Sequence, residues 1–273
     1  MRVFITGASS GIGAALALFY AAQGAQLGLV GRREQALRDL VDRLPEACSA
    51  THSAILDARH DAVSGAHHRI YPLDVRDRNA LHAAAHDFQQ SGPVDIVIAS
   101  AGVSAGTLTE ELDDFQVFRE IIDINVLSMV ATFEPFVAAM KQRGQGTLVG
   151  IGSVAGVRGF AGAGAYSASK AAVRAYCESL RVELAPAGIH VVTIAPGFIQ
   201  TPMTARNPYR MPFLMPVDAF AREAAQAIAR GRSYCVIPWQ MGWVGRLLTV
   251  LPDALFDRFA ANSKRKPRRG PAS

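Results

Sequence analysis

Residues 1–33 read MRVFITGASSGIGAALALFYAAQGAQLGLVGRR, and this stretch decides the fold. Arg2-Val3-Phe4-Ile5 is a short apolar run that stops at Thr6-Gly7. The segment Gly7-Ala8-Ser9-Ser10-Gly11-Ile12-Gly13 follows, then a helical pattern through Ala14, Leu18 and Ala22, then the apolar run 26–30. Strand, glycine turn, helix and strand predict a βαβ unit. Glycines at that junction turn the chain sharply and let backbone amides and a helix N-terminus approach a pyrophosphate. The spacing is GxxxGxG rather than the GxGxxG of long dinucleotide-binding domains.

The end of the second strand indicates the cofactor. An NAD site usually carries an acidic residue there for the ribose 2′-hydroxyl. This chain has Gly31 and then Arg32-Arg33. Two guanidiniums and no carboxylate suit a 2′-phosphate, so NADP(H) is expected.

A second constellation carries chemistry. Tyr166 and Lys170 stand four residues apart in AYSASK, which places both on one face of a helix, and Ser153 lies upstream in LVGIGS. A phenol beside an ammonium is an acid/base device, and the positive charge is expected to lower the tyrosine pKa. The Ser153 hydroxyl would bond the oxygen that Tyr166 protonates, which is the chemistry of carbonyl reduction or alcohol oxidation.

Apolar strands at 3–6, 26–30, 69–73, 94–100, 147–152, 189–195 and 234–237 alternate with helical stretches. The pattern predicts an α/β fold: a doubly wound, Rossmann-like parallel sheet in a single domain with helices on both faces. At 273 residues and 50% hydrophobic, the chain can bury one substantial core, expected over residues 1–238. Cys48, Cys177 and Cys235 form no spaced pair, and the first strand leaves no room for a signal peptide. Both fit a reducing cytoplasm. Of the net charge of +5, the run Lys264-Arg265-Lys266-Pro267-Arg268-Arg269 carries five, so the body is formally neutral and no nucleic-acid partner is expected. Residues 263–273 read as a basic, disordered tail. Residues 239–262 read as an apolar helical segment with Trp239, Trp243, Leu247, Leu248, Val250, Leu251, Leu255, Phe256 and Phe259. With the tail it suits peripheral contact with an anionic membrane surface; a substrate-site wall or subunit contact is the other reading.

Together these motifs resemble the short-chain dehydrogenase/reductase family over roughly residues 1–235. The TGxxxGxG turn matches Thr6 to Gly13, and the acidic residue near the adenine matches Asp74, followed by Val75. The Asn-Ser-Tyr-Lys set matches Asn125, Ser153, Tyr166 and Lys170, and the PG segment matches Pro196-Gly197, with Ile199 and Thr201 toward the nicotinamide. The resemblance implies a cofactor site at Gly7, Ser9, Ser10, Gly11, Ile12, Gly13, Arg32, Arg33, Asp74, Val75, Ala101, Gly102, Asn125, Tyr166, Lys170, Pro196, Gly197, Ile199 and Thr201. It implies that Lys170 holds the nicotinamide ribose, that Asn125 holds a water leading to Lys170, and that the chain is a homodimer or homotetramer.

The expected activity is NADPH-dependent reduction of an apolar ketone or aldehyde, a small molecule closed in by a lid near residues 201–220. Oxidation of an alcohol in the same site, or NADPH sensing without turnover, are the alternatives. Two departures stand out. The family's NNAG motif is Ala99-Ser100-Ala101-Gly102 here, and residues 46–68 are long for the connection they make. That stretch carries His52, His60, His67 and His68 with Cys48, yet lacks the close pairing of a zinc site, so no metal is expected.

Overall fold

The computed structural model describes residues 1–45, 68–261 and 265–268, without the side chain of Phe259. Seven parallel strands form one sheet: β1 (Arg2–Thr6), β2 (Gln26–Gly31), β3 (Arg69–Pro72), β4 (Ile96–Ala99), β5 (Gly146–Ile151), β6 (Ile189–Pro196) and β7 (Tyr234–Ile237). Their order is β3-β2-β1-β4-β5-β6-β7, so the winding reverses between β1 and β4, where Thr6 pairs with Ala99. That reversal opens a crevice beyond the carboxyl ends of the strands.

The helices are α1 (Gly11–Ala22), α2 (Glu34–Val41), α3 (Arg78–Gln90), α4 (Asp114–Ile122), α5 (Ser128–Arg143), α6 (Gly164–Leu184), α7 (Val217–Ala229), α8 (Trp239–Val250) and α9 (Asp253–Ala260). They cover both faces of the sheet, which is why its strands read as continuous apolar runs rather than alternating ones. In β1, Val3 and Ile5 join the core shared with α1 and α7, whereas Phe4 joins the core shared with α3, α5 and α6. Phe4 meets the rings of Tyr71, Phe88 and Phe136 there, with centroids 5.0 to 6.0 Å away.

All seven expected strands form, with β4 shorter than the apolar run 94–100 suggested. The histidine-rich segment lies outside the described residues except for His68, whose Nδ1 accepts a bond from the Leu27 amide at 3.3 Å.

The helical run 114–143 is long and apolar enough to cross a membrane by length and composition, and half of its most apolar window is buried inside the protein. The sequence offers Val117, Ile121, Val130 and Phe133 on this run, with Val173, Cys177 and Leu180 on α6, as a subunit interface. Most of that set packs inward instead: Ile121, Phe133, Val173, Cys177 and Leu180 are buried. Helices that cover one sheet face and also pack on each other bury wider stripes than a surface helix does. The apolar side chains left exposed are Leu112, Phe115, Phe118 and Leu127, with Val182 on α6.

The basic tail also departs from expectation. Disorder does not describe residues 265–268, which lie against the body. Arg268 forms a parallel bridge with Gly106, and its guanidinium meets the covered carboxylate of Asp114 at 2.8 Å and Glu111 at 3.0 Å. A composition argument assumes that the charges remain solvated; here one of them finds a buried counter-ion.

Candidate active site

The crevice at the strand reversal is a cleft of about 570 Å³. One end is built by the β1–α1 turn. Gly13 is forced there by packing, because a Cβ would lie 2.3 Å from the Gly7 carbonyl oxygen. Ser10 caps α1 without a side-chain hydrogen bond, and no acidic residue occupies the first turn. The first-turn amides are therefore free to receive an anion in the cleft.

Arg32 and Arg33 line the same end. The Arg33 guanidinium folds onto the glycine turn and donates to the Ser9 carbonyl at 3.2 Å. Asp74 lies across from them, gripped by Arg76 at 2.7 Å, and that hydrogen bond holds its carboxyl below the usual range. Arg76 was not singled out in the sequence; its place two residues past Asp74, at the end of β3, was the available signal. A helix start without a side-chain cap and two guanidiniums that meet no carboxylate in a salt bridge among the described residues fit the pyrophosphate and phosphate groups of a phosphorylated dinucleotide.

The other end of the cleft is lined by Ser153, Tyr166, Lys170, Pro196, Gly197, Ile199 and Thr201. Tyr166 and Lys170 share one face of α6, as their spacing requires. The Ser153 hydroxyl, just past β5, lies beside Tyr166 in the cleft and accepts from the Ala155 amide at 3.1 Å. Burial raises the Tyr166 pKa, Ser153 opposes the shift, and nearby Tyr209 reinforces it.

The expected lowering by Lys170 is not what the geometry gives. The Lys170 ammonium lies 5.9 Å from the Tyr166 ring centroid and donates instead to the Ile151 carbonyl at 2.8 Å. Desolvation pushes Lys170 itself down to about 8.

Asn125 occupies a different place from the rest. It sits in a π-type turn, Asp123–Leu127, between α4 and α5, and is fully buried rather than lining the cleft. Its amide donates to the Val103 carbonyl at 3.0 Å and to Ser169 Oγ at 2.9 Å, and its Oδ1 accepts from the Val103 amide at 2.8 Å. These bonds tie the loop after β4 to α6, so Asn125 positions the walls of the site. The remaining expected residues, from Ser9 through Ile12 to Val75, Ala101 and Gly102, all line the cleft. The cleft adds Gly31, Leu73, Ser100, Val103, Ile124, Ile151 and Gly152, and its wall includes 202–204 from the stretch expected as a lid. Gly31 and Ile151 end β2 and β5, Ile124 sits in the π-type turn, and the others follow strand ends, so the sheet sets their register with the motifs.

Comparison with known proteins agrees with this arrangement. The family model for short chain dehydrogenase matches residues 1–210. An uncharacterized oxidoreductase of Myxococcus xanthus is 38% identical over 257 residues, covering 94% of each chain. Among solved structures, a short-chain dehydrogenase from Sphingobium yanoikuyae in complex with NADPH aligns with a TM-score of 0.73 and 26% identity, covering 93% of this chain and 97% of that one. An actinorhodin polyketide ketoreductase with NADPH aligns with a TM-score of 0.73 and 26% identity, covering 86% and 95%.

Proposed function

The chain is an oxidoreductase that belongs to the short-chain dehydrogenase/reductase family, and from that premise we propose that it uses NADPH to reduce an apolar ketone or aldehyde to an alcohol. The observation that carries the reading is the meeting of Ser153, Tyr166 and Lys170 in the same cleft as Arg32, Arg33 and the uncapped start of α1.

Bound there, the nicotinamide supplies hydride to the carbonyl carbon. Tyr166 gives its phenol proton to the carbonyl oxygen, and the Ser153 hydroxyl bonds and orients that oxygen. Lys170, fixed by Ile151, holds the ribose and keeps a positive charge behind the phenol. Burial raises the Tyr166 pKa, so the phenol holds at neutral pH the proton that it gives up in reduction. The arginine pair supports NADP(H) over NAD(H). Met203 in the cleft wall, with Phe213 and Leu214 nearby in sequence and exposed, supports an apolar substrate.

The experiment is turnover of NADPH against a ketone panel by wild type and Tyr166→Phe. Activity is expected to fall by about 10²- to 10⁴-fold in the variant while NADPH still binds. A loss below about tenfold would remove Tyr166 from its role. Wild-type protein that turns over only alcohols with NADP⁺ would reverse the direction. Protein inert to both, yet altered in partner binding by NADPH, would be a sensor.

Cytoplasmic residence as a homodimer or homotetramer belongs to the same reading. The exposed stripe of Trp239, Trp243, Leu247 and Val250 on α8 supports a contact surface, for a second subunit or for a membrane.

A further inference from the structure

The catalytic tyrosine has a second cation beside it, and that cation comes from the far end of the sequence. The Lys266 ammonium lies 5.2 Å from the centroid of the Tyr166 ring, closer than the 5.9 Å of Lys170. It donates to Ser104 Oγ at 2.6 Å, in the loop that follows β4. Tyr166 itself lines the cofactor cleft.

The segment that brings Lys266 there is seated rather than draped. The Gly106 amide donates to the Pro267 carbonyl at 2.9 Å, and Gly106 pairs with Arg268 as a parallel bridge. A Cβ on Gly106 would lie 2.3 Å from the Lys266 carbonyl oxygen, so that loop accepts the tail only with glycine at this position. Gly106 in turn precedes Thr107, whose amide donates to the Gly162 carbonyl at 3.0 Å. The tail therefore rests on the loops after β4 and β5, which border the tyrosine. Arg268 anchors its end on Asp114 and Glu111.

The two cations of the tail differ in one respect. Arg268 is matched by two carboxylates, whereas among the described residues Lys266 meets only a hydroxyl and a ring face. A half-buried ammonium without a counter-ion is unfavourable in the resting protein, and an anion brought by a ligand would relieve it. Consistent with this, burial alone pushes Lys266 down to about 8, with no anion opposing it.

We propose that Lys266 is a specificity-determining residue for the reaction, reading a carboxylate on the ketone that Tyr166 protonates. The proposal rests on the reductase reading above and deepens it: the substrate class becomes an apolar oxo acid, with a carboxylate a few bonds from the reacting carbonyl. The apolar lid would take the body of such a molecule, and the tail would take its charged end.

The test pairs oxo acids of increasing chain length with their methyl esters, in wild type, Lys266→Met and Lys266→Arg. In wild type the acid of at least one pair is expected to exceed its ester in kcat/KM by about 10- to 100-fold, the range of one charge-assisted hydrogen bond, mainly through KM. Lys266→Met is expected to erase that ratio and Lys266→Arg to restore part of it. An acid-to-ester ratio near one in wild type, or one unchanged in Lys266→Met, overturns the proposal. Equal gains for acid and ester in Lys266→Met would make the tail a plug and overturn it as well.

If wild type turns over neither member of any pair, the reductase reading has failed. Calorimetric binding of the same acids and esters to the protein with NADPH then decides: acid binding that exceeds ester binding and is lost in Lys266→Met upholds the carboxylate site, and equal binding refutes it.

Discussion

Lys170 is buried, with its ammonium on a backbone carbonyl and its pKa pushed down to about 8 from 10.5. The folded state releases this proton more readily than the unfolded chain, so the charge penalises folding below about pH 8. The penalty fades as pH rises toward 10.5, where the unfolded lysine also loses its proton. Lys170→Met is therefore expected to raise the thermal midpoint at pH 7 by the equivalent of roughly 2 kcal/mol, once the lost hydrogen bond is offset, while turnover disappears. The gain should shrink by pH 10. Melting curves that show the variant less stable than wild type at pH 7 would contradict the account. Arg32 offers a second test, because it borders the cleft near Asp74. NADPH is expected to bind more tightly than NADH, and Arg32→Asp to narrow or reverse the difference in a fluorescence titration. Equal wild-type affinities would remove the 2′-phosphate from the arginines.

Helix α1 is where packing and binding depend on the same atoms. Its start is drawn so close to β1 that Gly13 faces the Gly7 carbonyl with no room for a methyl group. Gly13→Ala must push the turn open, which is expected to cost about 1–3 kcal/mol and to weaken NADPH binding at least roughly tenfold. Unchanged affinity by titration would mean that the helix start does not meet the cofactor. The segment around Phe213 shows the opposite character. Phe213 is a bulky residue held at a left-handed φ of 57°, with its side chain exposed, a conformation that costs about 1–2 kcal/mol unless its surroundings enforce it.

Among the described residues, two groups of apolar side chains on the helices stand uncovered. One comprises Leu112, Phe115, Phe118 and Leu127 around α4, and the other is the tryptophan stripe of α8. A symmetric homo-oligomer would cover at least the first. Light scattering at micromolar concentration is expected to give a dimer or tetramer mass, reduced toward monomer by Phe115→Asp with Phe118→Asp. A monomer in wild type would refute it. The docked tail bears on the second surface. Arg268 is already neutralised by Asp114 and Glu111, and the Lys266 ammonium is bonded to Ser104 beside the Tyr166 ring, so less charge is free for anionic lipid than composition implies. Sedimentation with anionic liposomes is accordingly expected to be weak even at low salt; strong, salt-sensitive sedimentation would assign the α8 stripe to a membrane.

Residues 1–33 alone determined the βαβ start, and the apolar runs with their helical intervals determined the sheet and its faces. Local periodicity and turn chemistry act within a few residues, so they survive in the linear text. The same holds for the Tyr166–Lys170 pair, one helical turn apart. Tertiary structure decided what depends on distance through space. It put Asn125 behind the site with its hydrogen-bonding groups on Val103 and Ser169, and turned the Lys170 ammonium to Ile151. It buried most of the side chains that the helices offered to a partner, and carried Lys266 across 100 residues of sequence to the ring of Tyr166. Charge and apolarity in a sequence say what a side chain can do; which group it meets is set by the packing of the sheet and its loops.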